Sequence, residues 1–330
     1  MNKPLSIGIV GSGFIAGVHA SSLKKIADVT ITAVVDTDVV RAAEFAKKHG
    51  IAAHYASFQA MLDAHRFDAI YFCIPPFAHQ GEVEQAAARG IHCFLEKPIA
   101  MDSVKATAMV DAIEKAGVIS QVGFHYRFRK SVRALKRLID SGEAGKVSLF
   151  SGRYWTNMDG ALWWRKQDMS GGQIYEQVIH IYDLARFFMG EIKSVHGLMR
   201  NVCHQGRADY TIEDTSIGTL AFKNGSVGVI TGSNCAIPVH FIGDFKVVCE
   251  KVTLDYQCTG QHWVTPDSAR LYSTSGAVES VVEDEDPYLL ESIEFISAIQ
   301  EGRAASTPAR VGLEAILLVE ALIADAANHQ

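Results

Sequence analysis

The chain has 330 residues, 48% hydrophobic and 21% charged, with a formal charge of -6 and a pI near 6.1. That length exceeds what one core usually reaches, so two domains are expected. The acidic balance, without clustered Lys and Arg, argues against a nucleic-acid or anionic-membrane surface, and no apolar run is long enough to cross a bilayer, which leaves a small molecule or a second copy as partner.

The start, MNKP running into an apolar strand, shows no basic-then-apolar leader, and cytoplasmic placement is expected. From Ser6 to about Phe124, short β-branched runs (SIGIVG, ITAVVD, AIYFCIP, IHCFLEKP, ISQVGF) alternate with helix-like stretches such as VVRAAEFAKKHG and HQGEVEQAAARG. Strand and helix in repeated alternation predict parallel βαβ units, here over residues 1–123.

Within the first unit, Gly11-x-Gly13-x-x-Ala16 follows a strand and opens a helix, as a dinucleotide fingerprint requires. Gly11 permits the tight turn and Gly13 the approach of a pyrophosphate. Phe14 and Ile15 occupy the variable positions, and Ala16 lets helix and strand pack closely. Asp36 ends the second strand, 20 residues beyond Ala16, where a carboxylate accepts from an adenosine ribose. Its charge disfavours a 2′-phosphate, so NAD is expected, with Arg41 keeping NADP open. Thr37 or Asp38 is left as the cap of the next helix.

Further along, Pro75, Pro76 and His79 follow one strand, and Glu96, Lys97 and Pro98 finish another, all at the carboxyl edge where ligands of open parallel sheets gather. His79 is equally readable as a core histidine. A lysine beside a nicotinamide would stabilise the negative oxygen of an alcohol losing its proton.

From about Lys146 the pattern changes to longer strands, KVSLFSGRYW, GTLAFKNGSVGVITG and FKVVCEKVTLDY, with Asn224-Gly225 as a two-residue hairpin signal, so residues 124–330 are expected to form an α+β domain on an antiparallel sheet. The basic run from Arg127 to Arg137 predicts the solvated face of a helix. In GGQIYEQVIHIYDL, Glu176, His180 and Asp183 share one helical stripe opposite Ile174, Val178 and Ile181, giving a polar face that by itself predicts contact with water.

Asp286-Pro287, after the acidic Glu283–Asp286, and then Thr307-Pro308, predict the starts of two closing helices. Cys73, Cys93, Cys203, Cys235, Cys249 and Cys258 form no C-x-x-C pair and predict reduced core thiols without a metal.

Together GSGFIA, CIPPFAHQGEVEQAAARGIHCFLEKPIA, VGFHYRF and SGGQIYEQVIHIYDLARFFMG resemble the Gfo/Idh/MocA oxidoreductases (glucose-fructose oxidoreductase and inositol dehydrogenase) over almost the whole length. The resemblance implies a Rossmann domain of doubly wound parallel sheet. It also implies an open-faced, mainly antiparallel second domain that binds substrate and often a neighbouring subunit as a homodimer or homotetramer, with the C-terminal helix returning toward the Rossmann domain. It further implies Lys97 and His180 as the catalytic pair. The family's aspartate four residues before that histidine is here Glu176.

On this basis the chain is expected to be an NAD(P)-dependent dehydrogenase of a sugar, inositol or related polyol. His180 would take the hydroxyl proton, Lys97 would stabilise the alkoxide and Glu176 would assist. Asp183 is left to hold the imidazole or local backbone. Tyr126, Arg127, Trp155, Trp163, Trp164 and Arg165 are candidates for substrate contacts, Arg127 and Trp163 foremost. An NAD-dependent glycosidase with transient oxidation, or an NAD-binding regulator without catalysis, are the alternative readings.

Overall fold

The structure is a computed structural model and describes residues 4–157, 161–235, 241–258 and 266–329. The chain divides into two units that are not consecutive lengths of sequence. One takes in the chain to His125 plus Asp286–Glu314; the other runs from Tyr126 to Glu285 and resumes at Ala315. The segment 286–314, read above with the second domain, thus groups with the first.

In the first unit the strands are β1 (Leu5–Val10), β2 (Val29–Val35), β3 (Ala53–Tyr55), β4 (Ala69–Phe72), β5 (His92–Leu95) and β6 (Ser120–Val122). Between them lie α1 (Phe14–Leu23), α2 (Val39–His49), α3 (Phe58–Ala64), α4 (Glu82–Ala88) and α5 (Ser103–Ala116). The sheet is parallel throughout, in the order β3-β2-β1-β4-β5-β6, so the chain reverses direction across the sheet between β1 and β4. β3, with the sequence AHY, escaped the sequence reading because it carries no β-branched apolar run.

The core joins β1, β2, β4 and β5 side chains to Ala16, Ala20 and Leu23 of α1, Phe45 and Ala46 of α2, and Phe295 and Ile296 from the later segment. Tyr71 and Phe94 stack at 4.4 Å, and Phe295 meets both edge-on at 5.7 Å. Asp38, not Asp36, caps α2, accepting from the amides of Val40 and Arg41.

The second unit begins with α6 (Lys130–Asp140), β7 (Val147–Thr156), the short α7 (Gln167–Ser170) and α8 (Ile179–Met189), the last preceded by a π-helical turn at Ile174–Val178. Then come β8 (Ile192–Arg200), β9 (Thr215–Phe222), β10 (Val227–Ser233), β11 (Phe241–Ile242), β12 (Phe245–Cys249), β13 (Val252–Gln257), β14 (Asp267–Ser273) and β15 (Val278–Glu283). They form one sheet, β15-β14-β13-β12-β7-β10-β9-β8, with β11 beside β7; β7 and β10 pair in parallel and the other pairs are antiparallel. The sheet is therefore mainly antiparallel, as expected, with one parallel pair at its centre.

At Asn224-Gly225 the hairpin loop has three residues, not two: Gly225 donates to the Phe222 carbonyl, Phe222 to Ser226, and Gly225 sits at φ +89°. That is a type I turn closed by a left-handed glycine.

Three sheet glycines explain how the π turn and α8 come so close. A Cβ on Gly152 would lie 2.5 Å from the Ile181 Cγ2, on Gly218 it would meet the Tyr182 ring, and on Gly232 it would lie 3.0 Å from Val178. The next residues along the strands point the other way, and there Leu149, Leu198, Ile217 and Val227 are exposed, with Leu198 paired to Ile217 and Leu149 to Val227.

α9 (Pro287–Glu301) is capped by Asp286 as expected. Glu283 instead accepts from the amides of Lys130 and Ser131, capping α6. α10 (Ala309–Ala327) lacks the expected Thr307 cap: the Thr307 hydroxyl donates to the Val122 carbonyl, and Ser120 Oγ accepts from the Ala309 amide. Cys73, Cys93, Cys249 and Cys258 are buried, whereas Cys203 is exposed and Cys235 partly so. Among the described residues no helix is long and apolar enough to cross a membrane.

Candidate active site

At the carboxyl edge of β1, Gly11 takes φ +93° and leaves no room for a side chain, since its Cβ would collide with the Cys73 carbonyl and lie 2.9 Å from Ile74. A Cβ on Gly13 would meet nothing within 4 Å. Gly13 is the N-cap of α1, no side chain caps that helix, and its dipole puts partial positive charge at this turn. Ala16 is fully buried and Phe14 is exposed. These residues fit a dinucleotide pyrophosphate.

Asp36, 8% exposed, accepts from the Ser12 amide at 2.9 Å and hydroxyl at 2.7 Å, which ties the glycine turn to the end of β2. Arg41 grips the same carboxylate at 3.2 Å through Nε and 2.5 Å through Nη2. Burial alone would raise the Asp36 pKa; the bonds from Arg41, Ser12 and the Asp38 amide outweigh it and hold the carboxyl below its ordinary value.

At the β4 edge Pro75 precedes a single 3-10 turn, Pro76–Ala78. The His79 side chain is 2% exposed, with Nδ1 3.7 Å from Glu82, which is the arrangement of a core histidine. Glu96, placed among cofactor contacts by its sequence position, turns inward: Oε1 lies 2.6 Å from His19 Nε2, and Oε2 accepts from the Lys97 amide at 3.1 Å. Lys97 is half-buried and its peptide bond to Pro98 is cis.

In the second unit, the polar stripe does not meet water. Glu176, His180 and Asp183 are 9%, 5% and 1% exposed, and the segment from Ser170 to Ala185 is buried on all sides. The π turn places Glu176 on a small pocket lined also by Trp164, Gln177, Ile212 and Asn234. The His180 ring lies 5.5 Å from that of Tyr126. Asp183 is held by Arg127, through Nε at 2.7 Å and Nη2 at 2.5 Å, so it does not orient the imidazole.

The Arg127 guanidinium, expected at the substrate, is thus committed to Asp183 and lies 4.5 Å over the Phe187 ring. Arg129 is likewise buried, 2.9 Å from Asp267, so neither belongs to a solvated face. It is Trp164 that lines the pocket; Trp163 stands edge-on to it at 5.5 Å.

Sequence reasoning missed Glu213, which no motif marks. Its Oε1 accepts from the Ile174 amide at 2.6 Å, anchoring the start of the π turn. It also explains the second glycine of the pair: Gly172 has φ +104°, and a Cβ there would meet the Glu213 carboxylate. Burial is the largest influence on Glu213 and pushes its carboxyl up to about 7, against the Ile174 and Gln173 amides.

An acid raised this way favours the fold when neutral. Its contribution is complete below the ordinary value of 4.5 and is lost as the pH rises through about 7. Glu213→Gln keeps an acceptor for Ile174 without the charge. We predict that it matches the wild type at pH 4 and gains several degrees in Tm at pH 8, with roughly 3 kcal/mol as the upper bound. Melting curves across that range check this, and equal gains at both pH values would refute it.

A parallel sheet with an uncapped glycine turn at its reversal point and an acid ending β2 defines an NAD-binding Rossmann unit, and the comparisons give it a family. Residues 5–124 match the model of the GFO/IDH/MocA oxidoreductase family, NAD-binding Rossmann fold, and residues 132–255 match the GFO/IDH/MocA C-terminal domain. Myo-inositol 2-dehydrogenase of Thermotoga maritima is 30% identical over 71% of this chain and 70% of its own. The scyllo-inositol 2-dehydrogenase (NAD(+)) of Bacillus subtilis is 27% identical over 98% and 94%. A levoglucosan dehydrogenase solved with NADH and levoglucosan shares the fold, at a TM-score of 0.90 and 20% identity, over 99% of this chain and 98% of its own. The chain therefore belongs to the Gfo/Idh/MocA family of NAD(P)-dependent oxidoreductases.

Proposed function

We propose that this chain is a dehydrogenase that moves hydride between NAD and a secondary alcohol of a sugar, inositol or related polyol. The observation that carries the reading is the buried segment behind Gly171-Gly172, which sets a histidine one turn past an acid that lines a pocket beside an indole. Relatives named for inositols, glucosides, xylose and levoglucosan support the substrate class.

His180 takes the hydroxyl proton, and Lys97 stabilises the oxygen left behind. Glu176 orients the substrate from the pocket wall, where Trp164 offers a face to the apolar side of a ring. Bound NAD supplies the hydride acceptor, and Gly11, Gly13, Asp36 and the start of α1 hold it. The test is a panel of myo-inositol, scyllo-inositol, levoglucosan, glucosides and xylose with NAD and NADP, followed by absorbance of the reduced nicotinamide. Binding of NAD with no turnover across the panel would sink the reading.

Arg41 is held on Asp36 by two hydrogen bonds, and freeing it converts a ribose site toward a 2′-phosphate site. Asp36→Ser should shift the NADP/NAD ratio of kcat/KM upward by about tenfold or more; steady-state kinetics with both cofactors check it, and an unchanged ratio would remove Asp36 from the ribose. We also infer a cytoplasmic homodimer or homotetramer formed through the exposed sheet face with Leu198 and Ile217. Light scattering that gives a monomer mass would overturn the assembly.

A further inference from the structure

Beneath Lys97, in the first unit, three ionisable side chains meet out of reach of water. His19 on α1 and Glu291 on α9 are 0% exposed, and Glu96 at the end of β5 is 8% exposed. One ligand-type atom from each lies within 4.8 Å of the others. Both carboxyl oxygens of Glu291 and Nδ1 of His19 are buried with no hydrogen-bond partner. Glu96 faces His19 with one oxygen and the Lys97 amide with the other.

Two carboxylates this close in a dry interior cannot both be ionised. An ionised Glu291 would lack any partner, which is the costliest arrangement available. We propose that Glu291 is held as a carboxylic acid facing an ionised Glu96, forming with His19 a buried cluster in which Glu96 is the positioning residue for Lys97. The purpose assigned to the cluster rests on the catalytic reading of Lys97. The ionised Glu96 keeps two acceptors, one for the imidazole and one for the Lys97 backbone N–H, and the acid beside it leaves a single negative charge in the cluster.

The surroundings fit this division. Burial, then Glu96 and Asp286, push the Glu291 carboxyl up. The other titratable groups facing it are Tyr71 on β4 and Cys73 just beyond it, both held neutral by burial. Gln121 on β6 donates to the Glu291 carbonyl at 2.6 Å, which fixes that turn of α9. The 2.6 Å separation of His19 and Glu96 is that of a charge-assisted hydrogen bond, and two ligands of one metal ion would stand farther apart.

Infrared spectra of the intact protein at pH 7 test where the proton sits. In a Glu213→Gln background, which removes the other carboxyl raised to about 7, the protein should show the carbonyl stretch of a protonated carboxylic acid, absent when Glu291→Gln is added and retained when Glu96→Gln is added. Hydrogen exchange at the Lys97 amide should speed up roughly tenfold in Glu96→Gln and stay unchanged in Glu291→Gln. A band lost in Glu96→Gln instead, no band at all, or one divalent metal per chain by elemental analysis would overturn the assignment. If Lys97→Met turned over normally, the role given to the cluster would fall while the band remained, so the two failures can be told apart.

Discussion

Replacing His180 with Asn is expected to lower kcat by roughly 10²–10⁴-fold, the usual contribution of a general base, while leaving NAD affinity unchanged. Asn fills much of the same volume and keeps a hydrogen-bonding edge, but it takes up no proton near neutral pH. The site is 5% exposed on α8, packed against the Tyr126 ring, so a polar replacement of similar size keeps the helix seated. Affinity should be spared because the NAD-holding residues proposed here, Gly11, Gly13 and Asp36, all lie in the other unit.

Glu176→Gln should cost less, because an amide on the pocket wall still hydrogen-bonds a hydroxyl. Steady-state rates on the best alcohol of the panel, NAD titration and a melting curve separate these effects. A His180→Asn enzyme with wild-type kcat would leave the proton to another group.

Much of the first unit was legible because its constraints are local. A glycine forced to φ +93° after an apolar strand, and an acid at the end of the next, sit within one βαβ unit and read directly from spacing. The second unit hid more. Periodicity of 3.6 put Glu176, His180 and Asp183 on one stripe, yet it carries no information on the π turn that holds Glu176 or on what covers the segment.

The cover comes from far along the chain: Arg127 onto Asp183, 56 residues away, and Glu213 onto Ile174, 39 residues away. The sheet glycines 152, 218 and 232 that seat the helix look like ordinary strand interruptions until the partner side chains are known. The same limit hid the Glu291 cluster, whose members lie on α1, β5 and α9. The role of Glu283 escaped for a related reason, since an acidic run before a helix points to that helix and not to α6, about 150 residues upstream.

Gly11→Ala should be the most damaging single methyl group that can be added to the cofactor turn. A non-glycine residue in the left-handed region costs about 1–2 kcal/mol on its own. Here the new Cβ would also drive into the Cys73 carbonyl, and that backbone is fixed by the Cys73 amide, which donates to Val10 at 2.8 Å. Relief requires parting β1 from β4 at their carboxyl ends, so both the melting temperature and NAD affinity should fall, the latter by more than about tenfold.

Gly13→Ala is the control that separates sterics within the chain from sterics against the ligand. Gly13 has φ -80°, and its Cβ would meet nothing within 4 Å. The fold should therefore keep its melting temperature, while the methyl group occupies the space into which the pyrophosphate would settle at the start of α1. Calorimetric titration of both variants with NAD, beside their melting curves, gives the comparison. If Gly13→Ala bound NAD as tightly as the wild type, the phosphates would have to lie elsewhere, and the fingerprint at Gly11 and Gly13 would be a feature of strand packing alone.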